Sequence, residues 1–397
     1  MVRIVGSGSG PLFNERVIRD LSNTEARRAL VHKWGQVPED VLPAWVAEMD
    51  YALAPVVADA VAEAVAAGVT GYPSFEPGGG ALGRAYAGFA ARRFGWRVDP
   101  AQVLPTVDVT AGVRLAIDVL SGPGAVVLPL PAYAPQLGLP EVCGRERWDL
   151  PVEPDAERVT IDLDRLDRMF ADGASTLLLT QPHNPCGQVY TRAELEGVRD
   201  VVARHGGRVV SDEIHAPLVL PGTEHLPYLS LDGASEHAVA VVAASKAFNT
   251  AGLRCAQVVS DDPATAERLA GVPVARNDSW SPLGEVAAVA AYEQGDAWLD
   301  ALLERLDGQR TLLAELLAEH LPEARVRPLE ATYLAWLDLR AYGHDDPAAV
   351  ALERGRVRVA PGHDYHPGLP GHVRLNVATS PERLREVVLR LARGLTR

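Results

Sequence analysis

Lysine is almost missing from this chain. Its 38 basic residues include only Lys33 and Lys246, so arginine supplies the other 36 (38 − 2). Cysteine is sparse as well. Cys143, Cys186 and Cys255 are odd in number, far apart and form no CxxC pair, which speaks against a disulfide framework and a structural zinc site. No window reaches the ~18 consecutive apolar residues that a membrane span needs. No run of Lys and Arg occurs and the net charge is −14, which speaks against a nucleic-acid footprint or a polybasic membrane surface. The opening MVRIVGSGSG has one arginine and too short an apolar core for a secretion signal. What these absences leave is a soluble cytoplasmic protein, and 47% hydrophobic with 23% charged residues is ordinary for one.

The length, 397 residues, suggests two to three domain-sized units. Helical periodicity runs through 55–67, 81–94, 113–120, 191–204 and 285–318. Between the earlier helices lie short apolar runs: AVVLPL (125–130), STLLLT (175–180), GRVVSD (207–212) and AVAVVAAS (238–245). Strands alternating with helices predict βαβ units and a mostly parallel sheet covered on both faces. Further apolar runs at 331–339 and 372–378, followed by a helix, suggest a smaller α+β domain. The expected division is a segment 1–54 packing with the small domain, a large domain 55–285 and a small C-terminal domain 286–397.

In open α/β sheets ligands bind beyond the carboxyl ends of the strands, so the residues at the end of each apolar run are informative. AVVLPL leads to Tyr133, STLLLT to Asn184 and AVAVVAAS to Ser245 and Lys246, while GRVVSD itself ends in Asp212. An aromatic ring, an amide, a carboxylate and an amine at one edge suit pyridoxal phosphate. An amine forms a Schiff base with an aldehyde, whereas a guanidinium stays protonated and is a poor nucleophile, so position 246 needs a lysine. Asp212 can keep the pyridine nitrogen protonated, and the ring then accepts electrons from Cα of a substrate. Asn184 can donate to the ring oxygen and Tyr133 can stack on the ring. Arg254 and the Ser245 hydroxyl can hold the phosphate. VTAGVRLAI (109–117) reads as a turn opening a helix whose free N–H groups, at Gly112, Val113 and Arg114, form an anion cradle.

At these residues the chain resembles the fold-type I pyridoxal-phosphate enzymes of the aspartate aminotransferase superfamily. HNPCG is similar to that superfamily's HNPTG motif, SDEIH to its Asp-containing strand end, SKAFNTAGLR to its SKxFxxxGxR box and HVRLN to its C-terminal arginine segment. Within the superfamily it most resembles the MalY/PatB group of cystathionine β-lyases, or cysteine C–S lyases, through LPAWVAEMDY (42–51), GVTGYPSF (68–75) and SDEIHAPLVLPGTEHLPYLSL (211–231). The resemblance implies a large α/β domain with a smaller α+β domain, a homodimer, and an activity that releases thiol, pyruvate and ammonia from a cysteine S-conjugate. It implies that Lys246, Asp212 and Tyr133 serve catalysis, that Arg374 binds the substrate α-carboxylate with Asn184 and Trp45 nearby, that His215 sits by the cofactor oxygen, and that Tyr72 reaches the cofactor phosphate of the neighbouring subunit. Two departures concern the substrate: Glu48 stands where the group has Asp, and TQPHNPCG replaces NPHNPTG.

A class I/II aminotransferase would need the same cofactor residues, and a non-catalytic cofactor-binding regulator would need fewer. Two further patterns invite other readings. VGSGSG mimics a dinucleotide turn, but Pro11 stands where the third glycine of GxGxxG belongs. PGHDYHPGLPGH gathers His363, His366 and His372 among glycines and prolines that lack the framing of a metal site, so the expectation is a loop near the mouth of the site and no metal.

Overall fold

The computed structural model describes residues 17–74, 79–152, 158–277 and 279–396. The glycine turn at 6–10 lies outside them. Two sheets organise the chain. Seven strands, β2 (Val103–Thr106), β3 (Ala125–Leu130), β4 (Arg147–Pro151), β5 (Ala174–Thr180), β6 (Arg208–Asp212), β7 (Ala238–Val242) and β8 (Ala256–Val259), lie in the order β2-β8-β7-β6-β5-β3-β4. The five from β7 to β4 pair in parallel, and β8 runs antiparallel to both of its neighbours.

The near-continuous apolar runs follow from burial on both faces, because successive side chains point to opposite sides. Val126, Leu128, Leu178, Val210, Val239 and Val241 pack on one side with Val113 and Ile117 of the helix Val109–Leu120. Val127, Leu177, Leu179, Val209, Ala240 and Val242 pack on the other, with Leu166 and Phe170 of helix Leu163–Ala171 and Leu195 and Val198 of helix Arg192–Arg204. Gly112 belongs to this packing. A Cβ there would sit 2.7 Å from Val241 and 3.1 Å from Thr106, so its absence lets the helix lie close to the sheet.

The second sheet takes strands from both ends of the chain: β1 (Leu42–Ala44), β9 (Arg325–Val326), β10 (Leu334–Asp338), β11 (Val357–Pro361) and β12 (His372–Asn376), in the order β1-β11-β12-β10-β9. β1 pairs in parallel with β11, and the other pairs are antiparallel. The helical pattern over 285–318 is two helices, Pro282–Gln294 and Asp296–His320, divided at Gly295. The ring of Phe248 lies against Gly295 where a side chain would stand, which ties this break to the strand-end segment that carries Lys246.

After β1 the chain crosses between the two sheets as residues 45–50, and nearly every peptide there is bonded to one side or the other. Asn376 Nδ2 donates to Val46 O (2.6 Å) and Glu48 O (2.7 Å), and Asn249 bonds both the N–H and the carbonyl of Met49. A buried ion pair anchors the end of this crossing. Lys33 Nζ lies 2.9 Å from Asp50 Oδ1 and donates to Glu48 O at 2.9 Å, while Trp34 Nε1 donates to the same carboxylate oxygen at 2.7 Å. Lys33 and Asp50 are both almost wholly buried, so the second of the chain's two lysines is a structural cation.

Among the described residues no helix is long and apolar enough to cross a membrane.

Candidate active site

A cavity of about 540 Å³ opens at the carboxyl ends of β3, β5, β6 and β7, and residues 45–48 and β12 close it from the other sheet. Tyr133, Asn184, Asp212, His215, Ser245, Lys246, Arg254, Arg374 and Trp45 all line it. Adjacency of the strands explains the convergence. Thr180 at the end of β5 pairs with Asp212 at the end of β6, and Asp212 pairs with Val241 of β7. One sheet edge therefore delivers four segments drawn from a stretch of more than a hundred residues.

Asp212 is buried on the cavity floor. Gln136 Nε2 donates to its Oδ2 at 2.8 Å and the Ile214 N–H to its Oδ1 at 3.2 Å, and burial nevertheless raises its carboxyl to about 7. Gln136 in turn accepts from the Thr180 hydroxyl at 3.0 Å, so its amide is oriented. The neighbouring Glu213 faces away and is saturated by Gln181, Ser211, His225 and the Tyr228 N–H. Only Asp212 of that acidic pair is left to face the cavity.

Lys246 donates to Ala47 O at 3.0 Å, an acceptor it shares with the Tyr333 hydroxyl at 3.0 Å. Burial, with Arg374 second, lowers its ammonium to about 8. Roughly a tenth of such amines are neutral at pH 7, against well under a thousandth at the ordinary value. His215 is buried, its Nδ1 has no hydrogen-bond partner among the described residues, and burial with the Lys246 and Arg374 charges holds it neutral, at about 3.

Arg374 is 4% exposed. It donates to Asn184 Oδ1 at 3.0 Å and to Trp45 O at 2.8 Å, and its guanidinium carbon lies 4.8 Å from the centroid of the Tyr365 ring. Its Nε is buried with no acceptor among the described residues, an arrangement that suits an incoming anion. The bond to Arg374 fixes the Asn184 amide and leaves its N–H₂ for another acceptor. The motif glycine nearby has a backbone reason. Gly187 has φ +67, and its carbonyl accepts from the N–H groups of Glu330 (2.8 Å) and Ala331 (2.9 Å).

At the opposite end of the cavity the helix Val109–Leu120 begins, capped by Asp108, whose Oδ1 accepts from the Ala111 N–H at 2.8 Å. Val107, Asp108, Val109 and Thr110 line the cavity. This corrects the expected cradle. Gly112 and Val113 are buried against the sheet a turn further on and Arg114 is exposed, because the cap places the helix start at Val109. The unpaired N–H groups of a helix belong to its first turn, here at Val109 and Thr110. Arg254 reaches the same end, 2.8 Å from Asp108 Oδ2, with Ser245 beside it.

Tyr72 does not line this cavity; its side chain is 94% exposed. Of the histidine-rich loop, Asp364 and Tyr365 line the cavity. His372, the first residue of β12, stacks on Trp336 of the neighbouring β10, and His366 Nδ1 accepts from the Gly368 N–H, so one ring serves the sheet and the other the loop. Among the described residues no three His, Cys, Asp or Glu side chains gather as metal ligands. Sequence reasoning gave no site role to Gln136, Tyr365, Tyr333 or the Ala47 carbonyl.

The sequence profile of aminotransferase class I and II matches residues 45–391. A putative cystathionine β-lyase of Mycobacterium leprae is 40% identical over 390 residues, covering 91% of this chain and 94% of its own. The cystathionine β-lyase of Corynebacterium glutamicum is 37% identical, covering 94% and 98%. A crystal structure of a putative PLP-dependent β-cystathionase from Corynebacterium diphtheriae superposes with a TM-score of 0.90 at 34% identity, over 96% of this chain and 99% of that one.

Proposed function

Because the chain belongs to the aminotransferase class I and II family, we propose that it is a pyridoxal-phosphate-dependent C–S β-lyase that releases a thiol, pyruvate and ammonia from cystathionine or another cysteine S-conjugate. The observation that carries this reading is the meeting of Lys246, Asp212, Asn184 and Arg374 in one cavity, in a chain whose relatives bear the name cystathionine β-lyase.

The residues present fit the cofactor. Lys246 is the amine to hold its aldehyde, Asp212 the carboxylate for the ring nitrogen and Asn184 the amide for the ring oxygen, with Tyr133 against the ring. Arg254, Ser245 and the helix start at Val109 and Thr110 form the anion end for its phosphate. When bound, the group supplies an electron sink for the bonds at the substrate Cα. The chain supplies the rest. Arg374 and Asn184 hold the α-carboxylate, and the unpaired Nε of Arg374 gains its acceptor there. Lys246, its ammonium already weakened by burial, takes the Cα proton at Nζ. A thiolate departs from Cβ with the bonding electrons, and water completes the conversion to pyruvate and ammonia.

Lys246→Ala is expected to abolish both the near-visible cofactor band and thiol release; turnover retained with added pyridoxal phosphate alone would refute the reading. A transferase built on the same residues is separated by one assay. Release of pyruvate and thiol without an added keto acid marks the lyase, whereas formation of a new amino acid that requires a keto acid marks the transferase.

We also place the protein in the cytoplasm as a homodimer in which Tyr72 reaches the partner's cofactor phosphate. The exposure of Leu53, Val65, Val69 and Tyr72 supports that reading, since so many large apolar groups in one stretch suit a covered surface. Tyr72→Ala should weaken cofactor binding about tenfold. Unchanged affinity, or a monomer by sedimentation, would refute the arrangement.

A further inference from the structure

Besides Asp108, which caps the helix and pairs with Arg254, two carboxylates line the cavity without a part in the proposed reaction, Glu48 and Asp364. Asp364 is exposed, but Glu48 is partly buried and its Oε2 is a buried atom that accepts no hydrogen bond from the described residues. The backbone fixes where this carboxylate stands. The Glu48 carbonyl takes Lys33 Nζ and Asn376 Nδ2, and its N–H donates to Val46 O at 2.9 Å. The preceding carbonyl, Ala47 O, is the acceptor of Lys246 Nζ. Glu48 thus comes directly after the residue that anchors the amine, on a stretch held from both sheets.

We propose that Glu48 is a positioning residue for proton transfer at Lys246: its carboxylate stabilises the charged ε-nitrogen between proton uptake and release, and so sets the pH at which the base becomes available. The inference rests on the cofactor-dependent lyase reading. Lys246 shares the cavity with Arg374 from β12, Asp212 from β6, His215 just beyond it, Tyr133 after β3, Tyr365 and the exposed Asp364 from the histidine-rich loop, His32, Cys255, Glu48, and Asp108 with Arg254, which pair with each other at the opposite end; Tyr333 before β10 shares its acceptor. His215 is neutral, and burial keeps the three tyrosines protonated. Arg374 opposes the ammonium, and Asp212 is committed to the ring nitrogen when the cofactor is bound. Glu48 is then the negative charge left to serve the amine. The electrostatic balance agrees: burial and then Arg374 pull the Lys246 ammonium down, while Glu48, ahead of Asp212, pulls it up.

During turnover the Cα–H electrons stay with the substrate carbon and the proton goes to Nζ. It passes from there to the departing sulfur, returning Lys246 to the neutral amine. A carboxylate lining the same cavity as Nζ steadies the charged intermediate state of that relay through the field between them and is consumed in neither step.

The test uses the cofactor-loaded protein with Glu48→Gln and Glu48→Asp, read first by titrating the near-visible cofactor absorbance against pH. With Glu48→Gln the midpoint should fall by about one pH unit, a roughly tenfold change in the neutral fraction at fixed pH. With Glu48→Asp, which keeps the charge, it should stay close to the parent. The acid limb of kcat should move with the midpoint while KM changes little, a split that loss of packing alone would not produce. An unchanged midpoint in Glu48→Gln, beside a parent that titrates normally, would overturn the role of Glu48 and leave the cofactor reading standing. A parent that develops no visible band would overturn both.

Discussion

Replacing Arg374 by glutamine puts the carboxylate clamp to a quantitative test. In the structure its guanidinium is oriented from three sides before any substrate arrives: one nitrogen on Asn184, one on Trp45 O and the plane near the Tyr365 ring. The fixed fork can add charge-assisted bonds to a carboxylate at little entropic cost. Two such bonds at about 1.5–3 kcal/mol each amount to about 3–6 kcal/mol. The kcat/KM for a cysteine S-conjugate should therefore fall by roughly 10²- to 10⁴-fold in Arg374→Gln. Inhibition constants for an amino acid and its carboxamide isolate the cause. The parent should prefer the acid strongly, and the variant should bind the two within about threefold of each other. Arg374 also weakens the Lys246 ammonium, so its removal should move the acid limb of kcat to higher pH. A variant that keeps the parent's preference for the acid would refute the placement of the substrate carboxylate, whatever its loss of rate.

The other expectations concern the frame of the site. Lys33→Met takes one charge-assisted bond from the buried Asp50, which keeps Trp34 Nε1 at 2.7 Å and Arg383 at 3.4 Å, so the cost should be about 1.5–3 kcal/mol; urea unfolding should record it, and a loss below about 1 kcal/mol would refute the anchoring role. Asp212 makes a pH prediction. Its carboxyl is raised by burial to about 7, so the folded apoprotein binds this proton more tightly than the unfolded chain does. Apoprotein stability should then fall as pH rises from about 4 to 7, by up to roughly 4 kcal/mol from this group, and Asp212→Asn should remove that slope. Identical pH profiles for the two apoproteins would refute it.

The parts of the site legible in the sequence are those where an apolar run ends and a polar residue begins. Burial on both faces made the strands readable as unbroken runs, and their ends put Asp212, Asn184, Tyr133 and Lys246 at one edge. The Asp108 cap is equally legible: an acid three residues before the N–H from which it accepts marks a helix start and puts the cradle at Val109 and not at Gly112. Gln136 carried no such signal. It sits within a four-residue helix and reaches Asp212 and Thr180 only because β3, β5 and β6 are neighbours. Lys33 lay in between, since the rarity of lysine that singled out Lys246 applied to it equally. Its partner Asp50 becomes visible only when the crossing between the sheets is folded.

One consequence of that crossing concerns genetics. The oxygen that receives Lys246 belongs to the main chain at Ala47, so exchanging the methyl group at that position leaves the acceptor in place. A complete scan of side chains could pass over one of the contacts nearest the reactive nitrogen and record nothing. Only an edit of the peptide linkage itself, such as an ester substituted for the amide between Ala47 and Glu48, would weaken that oxygen. Because the ester also deletes the Glu48 N–H that donates to Val46 O, an edit directed at Val46 O is needed beside it to expose the contribution.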